Sequence, residues 1–445
     1  MTPRTALPPH RIDLQNLGGT YTRLVDLDGD GRPELVLLQP STSSISDNPG
    51  VDEAERKHFC LSALDLDGRL RWQIGTPWPD VECPYIRHGG GGIAIADLDD
   101  DGRLEVAAIN RDELLILDGA TGRERARTRL PADCYALINT ARLGEHGLHL
   151  VLKVSGRTYA SWPYANPVLI LNPDLSVYRE PFAVRGAGHN IVALDVNGDG
   201  RDELLIGYAL LDHRGEVIWQ LDLGPDFDYE KHHADQITLA DLDGDGRPSV
   251  CYSGSEDFYI VDLDGRLRST TPAGHSQKAH AGPWGPDGKI CIFMSEKHRG
   301  INALAADGSV IWHRDDRNGY VQPGPRWSHG AGQRSWPLFR PQLPPVGEVP
   351  FRSDPALSRQ LWPRFLDAEG ELYEALPWQE DYALPAMTIR ARRSYDCGLI
   401  YQTSIVDLDG DGLDAVLVHN RQQAWIFRSP ESVATLAKES NRSTH

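Results

Sequence analysis

Asp26-Leu27-Asp28-Gly29-Asp30-Gly31-Arg32-Pro33-Glu34 is the stretch on which the reading of this chain turns. It recurs with small changes at residues 97–105, 195–203, 241–249 and 407–415. Carboxylates at alternate positions meet only if the chain curls around a point. Glycine at the fourth and sixth positions permits the curl because it tolerates positive φ. Carboxylates gathered in this way repel one another unless a cation lies between them, and oxygen-only ligands in a flexible loop suit Ca²⁺. The expected ligands are Asp26, Asp28, Asp30 and Glu34; Asp97, Asp99, Asp101 and Glu105; Asp195, Asn197, Asp199 and Glu203; Asp241, Asp243 and Asp245; and Asp407, Asp409 and Asp411. The last two copies carry Ser249 and Ala415 at the ninth position, so weaker or water-completed sites are expected there. An EF-hand is excluded. Its loop runs to a Glu at the twelfth position between helices, whereas here an apolar β-run follows at once, as in Leu35-Val-Leu-Leu38.

A second repeat runs out of phase with the first. It reads apolar-Leu-Asp-x-x-Gly-x-apolar-x-Trp and predicts two short strands joined by an Asp/Gly turn. Copies begin at Ala63, Ile116, Ile170, Leu211, Val261, Leu304 and Leu366. One hairpin of each kind makes four antiparallel strands, and such a unit repeated along a chain is the signature of a β-propeller. Degenerate loops complete the count at Ala141–Gly147, Pro283–Gly288 and Arg326–Gly332. The expectation is an all-β propeller of eight four-stranded blades, with seven as the alternative if Arg326 begins a long insertion. One propeller domain is expected over residues 1–435. It carries a Pro/Arg-rich insertion over about 333–361, placed on the active face, and a disordered tail follows at 436–445. The last blade is one strand short after Gln423–Arg428, and Arg11–Gln15 has no partner of its own. The N-terminal run is therefore expected to close the ring, since an open ring exposes two strand edges.

The bulk properties narrow the function. The net charge of −19 argues against nucleic acid or an anionic membrane as partner. Six cysteines without a CxxC pair suggest no disulfide framework. The N-terminus lacks an apolar signal region and no run of eighteen apolar residues occurs. Weak Ca²⁺ loops nonetheless suit an extracellular or periplasmic setting, so the compartment stays open. A monomer is expected.

With these residues in view, the Asp-x-Asp-Gly-Asp-Gly loops on propeller blades resemble the FG-GAP/VCBS repeats of calcium-binding propellers. Among enzymes the pattern resembles the rhamnogalacturonan lyases built as calcium-bound eight-bladed propellers. That resemblance implies structural Ca²⁺ in the blade loops and a polysaccharide substrate cleaved by β-elimination. The alternative is a non-catalytic FG-GAP propeller that binds carbohydrate or protein.

The chemistry should sit at the mouth of the central channel, just upstream of each aspartate loop. Arg87 and His88 stand there before Gly89–Gly92, as do Cys134, His189, His232 and His233 with Asp235, then His275, Lys278 and His280, Tyr320, and Arg393 with Tyr395 and Cys397. A lyase needs a base, a cation to neutralise the uronate carboxylate, and a proton donor to the leaving oxygen. His233, His275, His280 and Lys278 are candidate bases, and Arg87, Arg393 or a metal candidate neutralisers. Tyr395 and Tyr320 are candidate donors. His88, Cys134, His233, His275 and Cys397 lie at similar offsets, which also suits Zn²⁺ or another transition metal. Adjacent His232 and His233 point to opposite sides of a strand, so only one can face the channel. Trp72, Trp219 and Trp312 recur at one hairpin position and read as inter-blade packing, whereas Trp162, Trp284, Trp327, Trp336 and Trp378 are candidates for stacking on sugar rings.

Overall fold

The computed structural model describes residues 8–19, 21–41, 59–78, 82–83, 92–155, 158–285, 288–296, 299–315, 319–328, 333–335, 337–341, 349–351, 354–374, 376–384, 387–389, 401–408, 410 and 412–429. Eight four-stranded antiparallel sheets follow one another along the chain. Blade 1 contains Tyr21–Val25, Glu34–Gln39, Phe59–Leu64 and Leu70–Thr76. Blades 2 to 7 start at Ile93, Tyr135, Ile191, Ala234, Ser276 and Gly319, and blade 8 at Gln402. First strands of neighbouring blades pack on one another, so they form the inner wall of the ring. Second and third strands are apolar runs buried throughout, such as Glu34–Gln39 and Phe59–Leu64. They fill the space between blades, which is why their periodicity looks continuous and not alternating.

The ring closes as expected. His10–Asp13 pairs antiparallel with Gln423–Phe427 and becomes the outermost strand of blade 8. Ile12 and Leu14 are buried there among Leu35, Leu37, Leu417 and Ile426. On the inner side of the same seam, the Thr22 hydroxyl meets Nε2 of buried His419 at 2.7 Å. The recurrent tryptophans join successive blades. Nε1 of Trp72, Trp219 and Trp312 donates to the carbonyls of Gly119, Leu263 and Ala368, in each case on the following blade.

Blade 7 departs from the expected layout. Its inner strand is Gly319–Gln322 and its second strand is Leu338–Pro341, inside the stretch read as an insertion. The Arg326 segment is an extra hairpin, Arg326–Ser328 with Gln333–Ser335, set between these two strands. A short helix, Pro355–Gln360, is capped by the Asp354 side chain. Two tryptophans expected to stack on sugars belong to the core. Trp284 packs on Phe293, and Trp327 is 1% exposed with Nε1 donating to the Asp414 carbonyl. Trp284 packs between blades 6 and 7 and Trp327 between blades 7 and 8. Trp162 and Trp378 are half-buried, and Trp336 lies outside the described residues.

Candidate functional site: imidazoles on a buried carboxylate

Two bulges build the site. In the inner strand of blade 5 the pairing register shifts between Ala234 and Gln236, and in blade 6 between Ser276 and Lys278. The extra residues are Asp235 and Gln277. A bulge residue leaves the ladder and its side chain is re-aimed, and here the two meet: Gln277 Nε2 donates to Asp235 Oδ1 at 2.8 Å. Gln277 Oε1 in turn accepts from the Tyr320 hydroxyl of blade 7 at 3.0 Å. Three blades are thereby tied across the channel mouth.

Three imidazoles surround Asp235. His275 Nε2 lies 3.0 Å from Oδ2, His233 Nε2 lies 3.6 Å from the same oxygen, and His189 Nε2 lies 3.6 Å from Oδ1. His233 also stacks against Tyr164, with ring centres 4.5 Å apart. Burial alone would raise the Asp235 carboxyl, but the His233 and His275 imidazoles outweigh it and hold it well below the usual carboxylate range.

The chain must pass very close to itself to achieve this. His189 N donates to the Ala234 carbonyl at 3.1 Å, and a Cβ on Gly188 would fall 1.5 Å from that oxygen. Only glycine at 188 lets the lead-in to blade 4 lie against blade 5. From behind, the Ser155 hydroxyl meets His189 Nδ1 at 3.1 Å. Buried Lys153 donates to the carbonyls of Val154 and Gly188 at 2.7 and 2.6 Å. Burial lowers the Lys153 ammonium to about 7.

Lys278 and His280 lie deeper in the channel. Burial, reinforced by the charge of Arg340, lowers Lys278 to about 8. Burial, with the charge of Lys278, pushes His280 to about 3, so it is neutral. His280 is not among the imidazoles at Asp235. His232 turns away, with Nδ1 3.1 Å from Glu256. Cys134 is packed in the apolar core of blades 2 and 3, away from the imidazoles. Arg87, His88, Arg393, Tyr395 and Cys397 lie outside the described residues. His189, Asp235, Gln277, Tyr164 and Ser155 were not among the sequence candidates for catalysis. His189 and Asp235 stood in the upstream windows that drew attention to His233, whereas Tyr164 and Ser155 come from an unrelated loop that only the fold delivers.

The aspartate loops sit at the other end of the inner strands. In the first loop Asp26 accepts from the backbone N–H of Gly29, Asp30 and Gly31, and those glycines hold φ of +74° and +84°. Buried Glu34 caps the Leu27 N–H, as Glu105 caps Leu98 and Glu203 caps Val196. Asp26, Asp28 and Glu34, and likewise Asp97, Asp99 and Asp101, each bring three oxygens within 4.8 Å of one another. An arginine from the outer strand of the same blade reaches these carboxylates: Arg71 to Asp28 and Glu34, Arg125 to Asp99 and Glu105, and Arg268 to Asp243. In blade 4 the equivalent loop has Asn197, and the residue before the packing tryptophan is Ile218. In blade 8, Gly412 N–H donates to Asp407, while Asp409 and Asp411 lie outside the described residues.

No family model matches the chain. It is 27% identical over 310 residues to rhamnogalacturonan endolyase YesW of Bacillus subtilis (strain 168), which covers 64% of this chain and 46% of that protein. It is 26% identical over 271 residues to rhamnogalacturonan exolyase YesX of the same organism, covering 49% of this chain and 41% of that protein. The chain thus matches less than half the length of either curated relative. Among solved structures, Bacillus licheniformis rhamnogalacturonan lyase superposes with a TM-score of 0.60 at 16% identity, over 95% of this chain and 76% of that one. At that identity the superposition speaks for the shared propeller fold.

Proposed function

We propose that this chain is a polysaccharide lyase acting by β-elimination on a uronate-containing polymer of the rhamnogalacturonan type. The observation that carries the reading is the convergence of imidazoles from three blade lead-ins on one buried carboxylate at the channel mouth, in a chain similar to rhamnogalacturonan lyases. His275 is the most accessible of the three imidazoles. With Asp235 holding its Nε2–H, its Nδ1 is left as the base that removes the proton α to the uronate carboxylate. Tyr320, bonded through Gln277 to the same carboxylate, is the donor to the leaving glycosidic oxygen.

The donor set of His189, His233 and Asp235 suits a borderline cation such as Zn²⁺ better than Ca²⁺, because nitrogen ligands dominate. His233 Nδ1 is buried without a hydrogen bond among the described residues, which fits such a cation. When bound it would polarise the substrate carboxylate. Incubation with rhamnogalacturonan and related polymers is expected to raise absorbance at about 235 nm as the unsaturated uronate forms. His275→Ala is expected to lower the rate by about 10²–10⁴-fold. No absorbance change across a broad panel, with divalent cations supplied, would reject the lyase.

Structural Ca²⁺ in the aspartate loops belongs to the same proposal. EDTA is expected to lower the melting temperature, since a bound ion stabilises only while its site is filled. The Asp195 loop, which has no arginine arm among the described residues, should account for most of that shift, so Asp195→Asn should abolish more of it than Asp28→Asn. A melting curve indifferent to EDTA would remove Ca²⁺ from the loops.

A further inference from the structure

His189 and His233 stand just ahead of the strands they lead into. Strand pairing in blade 4 starts at Ile191, and in blade 5 at Ala234, the residue after His233. The two imidazoles nonetheless meet edge to face, with ring centres 5.1 Å apart, and both approach the one buried carboxylate. Side chains keep such a spacing only when the groups behind them are fixed as well. In each lead-in a buried donor on the preceding blade holds the backbone.

Lys153, on the second strand of blade 3, is fully buried. Its ammonium donates to the Gly188 carbonyl, the peptide group that leads directly into His189, and to the Val154 carbonyl on its own strand. Both acceptors are uncharged, and burial disfavours the ammonium. A buried cation held by carbonyls costs the fold more than an apolar side chain of similar length, so stability does not account for a lysine here. A side chain at 188 could not brace the same segment, because a Cβ there would clash with the Ala234 oxygen. Tyr208 repeats the arrangement one blade further on. It lies in the turn after the second strand of blade 4, is fully buried, and donates its hydroxyl to the His233 carbonyl at 2.9 Å. Gly254 leaves room for it, since a Cβ there would fall 2.5 Å from the hydroxyl. Burial raises the phenol well above its ordinary value, so it stays a donor. The same carbonyl already accepts from Ser255 N–H at 3.0 Å. The Tyr208 bond is therefore a second one to an oxygen that has a partner without it.

We propose that Lys153 and Tyr208 are positioning residues that set His189 and His233 against Asp235 from behind the site. Lys153 fixes the peptide before one imidazole, and Tyr208 fixes the carbonyl of the residue that carries the other. Loss of either donor lets one ring turn from the carboxylate while the strands stay paired. Because the two donors serve different rings, each substitution has its own signature. Their effect on turnover rests on the lyase reading above, whereas their effect on the rings does not.

Lys153→Met and Tyr208→Phe remove the donors and nearly keep the volumes. Both are expected to melt close to the original chain. The first loses a buried charge together with its bonds, and in the second Ser255 still serves the carbonyl. Nitrogen–proton correlation spectra of the full chain labelled with ¹⁵N-histidine read the rings directly, with His189→Gln and His233→Gln to assign the signals. Lys153→Met should displace the His189 signal and Tyr208→Phe the His233 signal, each leaving His313 in blade 6 where it was. On rhamnogalacturonan, each variant should lower kcat by about 10–100-fold with KM changed far less. If Lys153→Met does not fold, Tyr208→Phe decides. Folded variants with both imidazole signals unmoved would overturn the proposal, as would a kcat within about twofold of an active original chain. Displaced signals in a chain that makes no product at about 235 nm keep the positioning of the rings and reject the lyase.

Discussion

Asp235→Asn is expected to lower turnover on an acidic polysaccharide by about 10³-fold, with KM changed far less than kcat. Asparagine keeps the shape and can still accept from Gln277 Nε2. It removes the charge that draws His275 to 3.0 Å and His233 and His189 to 3.6 Å. Without that charge neither the tautomer nor the orientation of the base is held, and an imidazolium formed at His275 is no longer stabilised. Because the carboxylate acts on the reacting groups and not on substrate binding, the loss should fall on kcat. Gln277→Leu should give a smaller loss, since it removes one hydrogen bond to Asp235 and the link to Tyr320 while leaving the charge in place. Steady-state kinetics on the two variants checks this order. A kcat for Asp235→Asn within tenfold of the original would remove Asp235 from the machinery.

The second large effect concerns closure of the ring. Leu14→Ala is expected to cost about 2–5 kcal/mol in urea unfolding, and Ile12→Ala a similar amount. Both side chains are essentially buried between blades 8 and 1, and among the described residues no other strand pairs with the outer edge of Gln423–Phe427. A chain shortened past Asp13 should aggregate, because that edge then offers unpaired N–H and C=O groups to other molecules. A truncated protein that stays monomeric and equally stable would show that closure lies elsewhere.

The same seam should be acid-labile. Burial lowers His419 to about 4 despite its bond to the Asn420 carbonyl, so it stays neutral in the fold. In the unfolded chain an imidazole takes up its proton near pH 6.5. The contribution of His419 is therefore whole above about pH 6.5 and drains as pH falls towards 4, by an amount on the order of 3 kcal/mol. A His419→Asn chain should lose less stability over that window than the original, as melting curves at successive pH values would reveal.

Much of the architecture was legible before any coordinates. The carboxylate loops marked the turn between first and second strands, and the Leu-Asp-x-x-Gly hairpins marked the turn between third and fourth. Closure by the N-terminal run followed from the strand missing after Phe427. Blade 7 resisted because its inserted hairpin and short strands break both periods, so Leu338–Pro341 passed for loop. Trp327 and Trp284 were misjudged for a related reason: outside the repeat pattern, composition does not distinguish a plug in an irregular blade from an exposed platform.

The site divides along the same line. Local sequence determined where its residues come from, because each blade presents the run before its aspartate loop at the channel mouth. Asp26–Glu34 and its copies served as the ruler for that. The tertiary structure alone decided which of those residues meet. A one-residue bulge carries no mark in the sequence, yet it turns Asp235 and Gln277 towards each other. Gly188 matters only because Ala234 of another blade presses against it. Periodicity is a property of one strand and its neighbours, whereas the meeting of side chains from separate blades is a property of the whole ring.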